Sequence, residues 1–149
     1  MENRLKPYIK ILLILLIVFI GIQIFTKPKN FSKVIGTDEK NITKIVLKSG
    51  SNGNHVVITD NPQIQQFINL INGRQYSRSL DQLSNRKGWG YNAEIYKGSI
   101  LLVSMTYMGG YLVYVNGTHY NVDKVISMPD MGVLFNSFPL IKFEYVPRY

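Results

Sequence analysis

The chain has no cysteine among its 149 residues, and this absence excludes several classes of protein. Without a thiol the chain forms no disulfide, uses no thiolate nucleophile and builds no zinc site of the cysteine type. A lipid anchor attached through cysteine is excluded for the same reason. Many cytoplasmic proteins lack cysteine, and so do exported proteins that fold without oxidation. The absence of cysteine therefore does not by itself place the chain in a compartment.

Signatures of catalysis and cofactor binding are also missing. The only two histidines, His55 and His119, lie beside Asn-Gly turns on predicted strands, and neither neighbours a Gly-x-Ser-x-Gly elbow. The glycines match neither the P-loop pattern nor the dinucleotide-binding pattern. We therefore predict no cofactor, no metal and no catalytic residue. A membrane-tethered hydrolase that uses one histidine with a nearby Ser or Asp stays open as an alternative.

The strongest positive feature is an apolar run without charge over residues 11–25, with Lys10 before it and Lys27 after it. A helix rises about 1.5 Å per residue, so residues 7–26 would span roughly 30 Å, the hydrocarbon thickness of a bilayer. Pro7 is expected at the start of this helix. The residues predicted to contact lipid are Ile11, Leu12, Leu13, Leu15, Leu16, Val18, Phe19, Ile20, Ile22, Ile24 and Phe25.

A cleaved signal peptide is the main alternative to an uncleaved anchor. Its apolar region usually has about 7 to 15 residues and is followed by an A-x-A-like pair of small residues. Here the run lies at that upper limit, and residues 21–26 contain no such pair. We therefore favour a single-pass protein of the cell membrane. Basic residues nearly balance across the run, but a short basic tail favours export of the C-terminal domain.

The organisation predicted from these patterns has four parts. Residues 1–10 form a short basic tail, and residues 11–26 form the transmembrane helix. Residues 27–39 mix Lys, Pro, Asn, Gly and Asp without an apolar period, which predicts a linker that lifts the domain off the bilayer. Residues 40–149 are long enough for one soluble domain with a single core.

The first part of this domain is predicted as two strands and a helix. Residues 43–48 alternate between the two faces of a predicted strand, and residues 55–59 are mostly apolar. The Asn52-Gly53 pair between them is a strong signal for a hairpin turn. Pro62 opens a helix, and Gly73 is expected to cap its end. The apolar stripe of that helix recurs at i, i+3, i+4 and i+7, at Ile64, Phe67, Ile68 and Ile71.

The second part is predicted as a β-meander followed by a helix. Strands are expected over residues 89–96, 99–107, 111–115 and 118–122, because pairs of turn residues such as Asn116-Gly117 separate them. A second helix begins after Ser127, and residues 140–146 are expected as an edge strand. The predicted order β-β-α-β-β-β-β-α-β is that of an α+β domain with helices on one face of an antiparallel sheet.

The net charge of +8 fits either a solvated basic surface with no specific partner or a surface that attracts an anionic partner. Residues 74–87 are predicted as a long basic loop, and loops of this length often carry function. The predicted partners are the bilayer and an anionic lipid, a cell-wall polymer or another envelope protein, while a cytoplasmic domain that binds nucleic acid is a less favoured alternative. The candidate contacts with an anionic surface are Lys27, Lys29, Lys33, Arg74, Arg78, Arg86 and Lys87.

Three features together form a recognisable layout: the N-terminal anchor, the β-β-α block ITKIVLKSG…HVVITDNPQIQQFINLING, and the strand GWGYNAEIY. In this layout the chain resembles small membrane-anchored proteins of low-GC Gram-positive bacteria and their prophages. The resemblance covers about residues 1–125, contains no signature motif and implies no functional residues. Our leading hypothesis is a membrane-anchored domain that acts in binding, regulation or immunity at the envelope surface.

Overall fold

The computed structural model describes residues 2–82 and 90–142 and begins with a long helix, α1 (Glu2–Phe25). Its segment Pro7–Phe25 is long and apolar enough to cross a membrane, with a mean hydropathy of 2.6 and no part buried against the rest of the described chain. The helix begins before Pro7, so the prediction that Pro7 starts it is wrong. Pro7 is the sixth residue of this helix, where it cannot donate a hydrogen bond to the Asn3 carbonyl and where its ring crowds that carbonyl.

Eleven further elements follow in the described part of the chain, with a short 3-10 turn over Glu39–Asn41 among them. In chain order the other elements are α2 (Phe31–Ile35), β1 (Lys44–Ser49), β2 (His55–Ile58), α3 (Asn61–Ile71), β3 (Tyr76–Arg78), β4 (Tyr91–Lys97), β5 (Ile100–Tyr107), β6 (Leu112–Val115), β7 (Thr118–Val122) and α4 (Met128–Asn136).

The seven strands form one sheet in the order β2-β1-β4-β5-β6-β7-β3, and every neighbouring pair is antiparallel. The predicted α+β class with an antiparallel sheet is therefore confirmed. The hairpin turns also have the expected backbone, since Gly53, Gly98 and Gly117 have φ values of 73°, 58° and 78°. Glycine adopts this left-handed region without steric cost, and tight hairpins need it.

Within residues 2–82 and 90–142, the three helices after α1 pack on the same face of the sheet. Phe67 of α3 meets Tyr107 of β5, and Phe135 of α4 meets Tyr91, the β4 partner of Tyr107. Most strand residues on this face are buried, and most on the other face are half-buried or exposed. Exceptions include Arg78, which is half-buried on the helix face, and His119, which is buried on the other face. This alternation is the period of two that an antiparallel sheet with one wet face requires. The apolar stripe predicted for α3 is buried.

Residues 27–39 do not form the predicted linker. They contain α2, whose Phe31 is fully buried and whose Ile35 is 6% exposed. The Asn30 side chain caps this helix by accepting a hydrogen bond from the Lys33 N–H at 3.1 Å. A helix of five residues has too few apolar positions to display a period, so its burial is decided by tertiary packing.

Residues 74–87 are not a continuous loop either, because they contain β3. This strand pairs with β7, matching Tyr76 with Val122 and Arg78 with Tyr120. At the other edge of the sheet, Ile141 forms an isolated bridge with His55 where an edge strand was predicted. Residues 143–146 of that predicted strand lie outside the described part of the chain. The observed order after α2 is therefore β-β-α-β-β-β-β-β-α.

Candidate functional site at the end of the apolar helix

The apolar helix leads directly into the edge of the sheet. Only Thr26, Lys27 and Pro28 separate its last residue from Lys29, whose backbone pairs with β3. The Lys29 N–H donates to the Tyr76 carbonyl at 2.9 Å, and the Tyr76 N–H donates back at 2.8 Å. Three residues span about 10 Å at most. If α1 crosses a bilayer, the domain therefore lies against the bilayer surface.

Arg78 joins this edge to the end of the helix. Its guanidinium carbon lies 5.3 Å from the centroid of the Phe25 ring, which is a cation–π distance. Its Nε donates to the Tyr120 hydroxyl at 3.3 Å, because the sheet register places both residues on the same face. Neither terminal nitrogen of Arg78 makes a hydrogen bond with residues 2–82 or 90–142.

The three lysines predicted as anionic contacts lie on the segment that follows α1. Lys27 and Lys33 are exposed, and Lys29 is half-buried. Lys33 borders a shallow depression of about 480 Å³ together with Asp38 and Glu39, so opposite charges accompany it there. Lys27 and Lys29 are the lysines next in sequence to the end of the helix.

Arg74 has a structural role instead of the predicted anionic contact. Its Nε donates to the Lys124 carbonyl at 3.1 Å and its Nη2 to the Val125 carbonyl at 3.0 Å. Its Nη1 donates to the carbonyls of Leu70 and Asn72. The guanidinium thus ties the end of α3 to the segment after β7. Four of its five N–H groups are engaged, so little capacity remains for an external anion.

We expect Arg74→Lys to lower the free energy of unfolding by about 2 kcal/mol, because one ammonium group cannot reach carbonyls on two separate segments. Lys97→Arg is a matched control at the exposed last residue of β4, where no change above about 0.5 kcal/mol is expected. Urea unfolding of the full chain in detergent, followed by circular dichroism, measures both. Equal stability of the two variants would contradict the structural role of Arg74.

The remaining two predicted contacts, Arg86 and Lys87, lie outside the described residues. The sequence patterns gave no indication of Phe25 or Tyr120 as partners of Arg78. Phe25 is 53 positions away in sequence, and only the pairing of β3 with β7 and of Lys29 with Tyr76 brings these groups together.

The two histidines considered for catalysis lie in different environments. His119 is buried, its Nδ1 is 2.9 Å from the Asp81 carbonyl, and its ring meets Tyr114 at 4.1 Å. Its backbone N–H and carbonyl both bond to the Gln82 side chain, so it fastens residues 79–82 to β7. Within residues 2–82 and 90–142, no group of three or more histidine or acidic side chains is placed to hold a metal ion.

His55 lies on the face of the sheet that the described helices leave open. It lines a groove of about 260 Å³ with Val46, Lys48, Asn92 and Glu94. Glu94 accepts a hydrogen bond from the Tyr96 hydroxyl at 2.5 Å, and this bond raises the pKa of Tyr96. The groove is small, and its charges have both signs.

No protein-family model, curated protein or solved structure matches the chain. A functional argument therefore depends on the geometry of the chain itself. The feature that this geometry distinguishes is the junction of α1 with the sheet edge, which we call the membrane junction: Phe25, Lys27, Lys29, Arg78 and Tyr120.

Proposed function

We propose that the chain is a single-pass membrane protein whose basic α+β domain lies on the outer surface of a bacterial cell membrane and binds another envelope component. The observation that supports this most directly is the continuity between α1 and the sheet at Lys29. Phe25, the last residue of the apolar helix, also contacts Arg78 of the domain. Removal of the helix as a signal peptide would leave Arg78 without that contact.

The proposed role is in binding, regulation or immunity, as expected from the layout of small anchored proteins in low-GC Gram-positive bacteria and their prophages. Basic side chains at the membrane junction suit an anionic surface such as lipid or cell-wall polymer. The open face of the sheet, which carries polar groups including Lys44, Glu94 and Thr106, is then available to an envelope partner.

Extraction of membranes with alkaline carbonate and with high salt tests the anchor. We expect the full chain to stay in the membrane fraction, with an intact mass that includes residues 1–26. Leu16→Arg with Ile17→Arg should release it, since each arginine at the centre of a span costs about 2.5 to 3.5 kcal/mol. Val133→Arg, at a site 72% exposed on α4, is the control that should stay bound.

Two outcomes of this experiment would contradict the proposal. Release of the unaltered chain by carbonate would show that α1 does not span the membrane, and a mature form without residues 1–26 would show a signal peptide. A reporter that is active only outside the cell, fused to the C-terminus, tests the direction. We expect activity; an inactive reporter on a stable fusion would place the domain in the cytoplasm and favour the nucleic-acid alternative.

A further inference from the structure

We propose that Arg78, assisted by Lys27 and Lys29, binds the phosphate of an anionic lipid headgroup. This inference rests on the proposed function, because it needs α1 to span the bilayer. The site consists of the guanidinium of Arg78, held between the Phe25 ring and the Tyr120 hydroxyl, and the two lysines that follow α1.

The position of Arg78 along the membrane normal is set by Phe25. A bilayer has about 30 Å of hydrocarbon and about 40 to 45 Å with its headgroups, which leaves roughly 5 to 8 Å of headgroup layer on each side. The span Pro7–Phe25 has 19 residues and roughly the length of the hydrocarbon layer. Phe25 then lies at the boundary, and a guanidinium 5.3 Å from its ring lies within or next to the headgroup layer.

The chemistry of Arg78 suits a phosphate at this depth. The Nε hydrogen bond to Tyr120 and the contact with Phe25 fix the plane of the guanidinium. Both terminal nitrogens are without hydrogen-bond partners among the described residues, so they present a fork of N–H donors. Such a fork binds phosphate oxygens in a bidentate manner, which a point charge does not reproduce.

Arg74 provides an internal comparison four residues earlier. Its guanidinium is engaged by backbone carbonyls of two chain segments, whereas that of Arg78 has Tyr120 as its hydrogen-bond partner within residues 2–82 and 90–142. The two arginines have the same charge and lie in the same basic stretch of sequence. Of these two arginines, Arg78 is the one that contacts the apolar helix and keeps donors without a partner in the described part of the chain. This combination distinguishes a lipid-binding arginine from one with a structural role.

Native mass spectrometry of the full chain in detergent, titrated with phosphatidylglycerol or phosphatidylcholine, tests this site. We expect tighter binding of phosphatidylglycerol, and we expect Arg78→Gln to weaken it about tenfold, the effect of losing a hydrogen-bonded charge. Arg78→Lys should recover only part of the loss. Lys97→Gln removes the same charge from the exposed end of β4, far from α1 in sequence, and should stay within about twofold of the unaltered chain.

Equal weakening by Arg78→Gln and Lys97→Gln would overturn the site in favour of a general charge effect, as would equal affinity for the two lipids. Displacement of phosphatidylglycerol by millimolar inorganic phosphate would overturn a lipid ligand in favour of free phosphate. If Arg78→Gln does not fold, Lys27→Gln, an exposed position, should weaken binding two- to threefold, and no change would overturn the proposal. Carbonate extraction of the membranes from which each chain is prepared distinguishes failure of the proposed anchor from failure of the lipid site. A chain that carbonate releases refutes the anchor, whereas a chain that stays in the membrane but shows no lipid preference refutes only the lipid site.

Discussion

Phe31→Ala is expected to lower the free energy of unfolding by about 3 to 5 kcal/mol, the range measured for large aromatic residues in protein cores. The Phe31 side chain is fully buried, and its ring centroid lies 6.3 Å from that of Tyr76. Tyr76 is itself buried, and its hydroxyl donates to the Ile71 carbonyl at 2.8 Å. That burial raises the pKa of the Tyr76 hydroxyl. Removal of the Phe31 ring therefore leaves a cavity beside a polar group that has no access to water.

Urea unfolding of the full chain in detergent, followed by near-ultraviolet circular dichroism, measures this effect. Val133→Ala is the control, because that side chain is 72% exposed and its loss should change stability by less than about 0.5 kcal/mol. Amide exchange of Lys29 and Tyr76 should also accelerate in the Phe31 variant, since one of these paired amides belongs to Tyr76, which packs against the Phe31 ring, and the other lies two positions before Phe31. A loss below about 1 kcal/mol would show that residues 27–39 behave as a linker after all.

The elements that could be predicted from the sequence are those that local patterns specify. Asn116 and Gly117 form a tight turn because both adopt positive φ, 47° and 78°, and few other residue pairs do so. The four apolar residues of α3 recur with the helical period over two full turns, so one face had to be buried. The apolar span of α1 is specified by length and composition alone.

The elements that could not be predicted are short and depend on distant partners. α2 has five residues and β3 has three, which is too few for either period to emerge. β3 forms because β7 offers it hydrogen bonds, and Lys29 then pairs with its outer edge. The same limit applies to the membrane junction. Arg74 and Arg78 are equivalent in the sequence, and only the fold gives one of them carbonyl partners and the other an aromatic ring.

The absence of a linker between α1 and the sheet has a functional consequence. A flexible linker would let the domain sample many orientations, so no particular side chain would meet the headgroups. Backbone pairing at Lys29 and the burial of Phe31 instead fix the sheet edge within a few residues of the apolar helix. If α1 spans a bilayer as proposed, the same residues that stabilise the core determine which cations face it.

Gly90→Ala is expected to destabilise the domain by about 3 kcal/mol or more, at the upper end of the range for overpacked cores. Gly90 is buried, and a Cβ at this position would overlap the Tyr107 carbonyl oxygen and lie 3.1 Å from the Met108 Cα. These are backbone atoms, so no change of rotamer relieves the overlap. The Gly90 carbonyl also accepts the Gly50 N–H at 2.7 Å, so a shift of the backbone would weaken that bond.

Gly132→Ala is the matched control for this substitution. Among the described residues its added Cβ would meet the Tyr91 hydroxyl, at 3.2 Å, which is the end of a side chain and not backbone. Gly132 also lies inside α4, where alanine is favoured over glycine by about 1 kcal/mol. We expect the control to equal or exceed the unaltered chain in urea midpoint, while Gly90→Ala unfolds at a much lower urea concentration. Similar midpoints for the two variants would mean that the β4 and β5 backbones do not approach each other at Gly90 as closely as the structure places them.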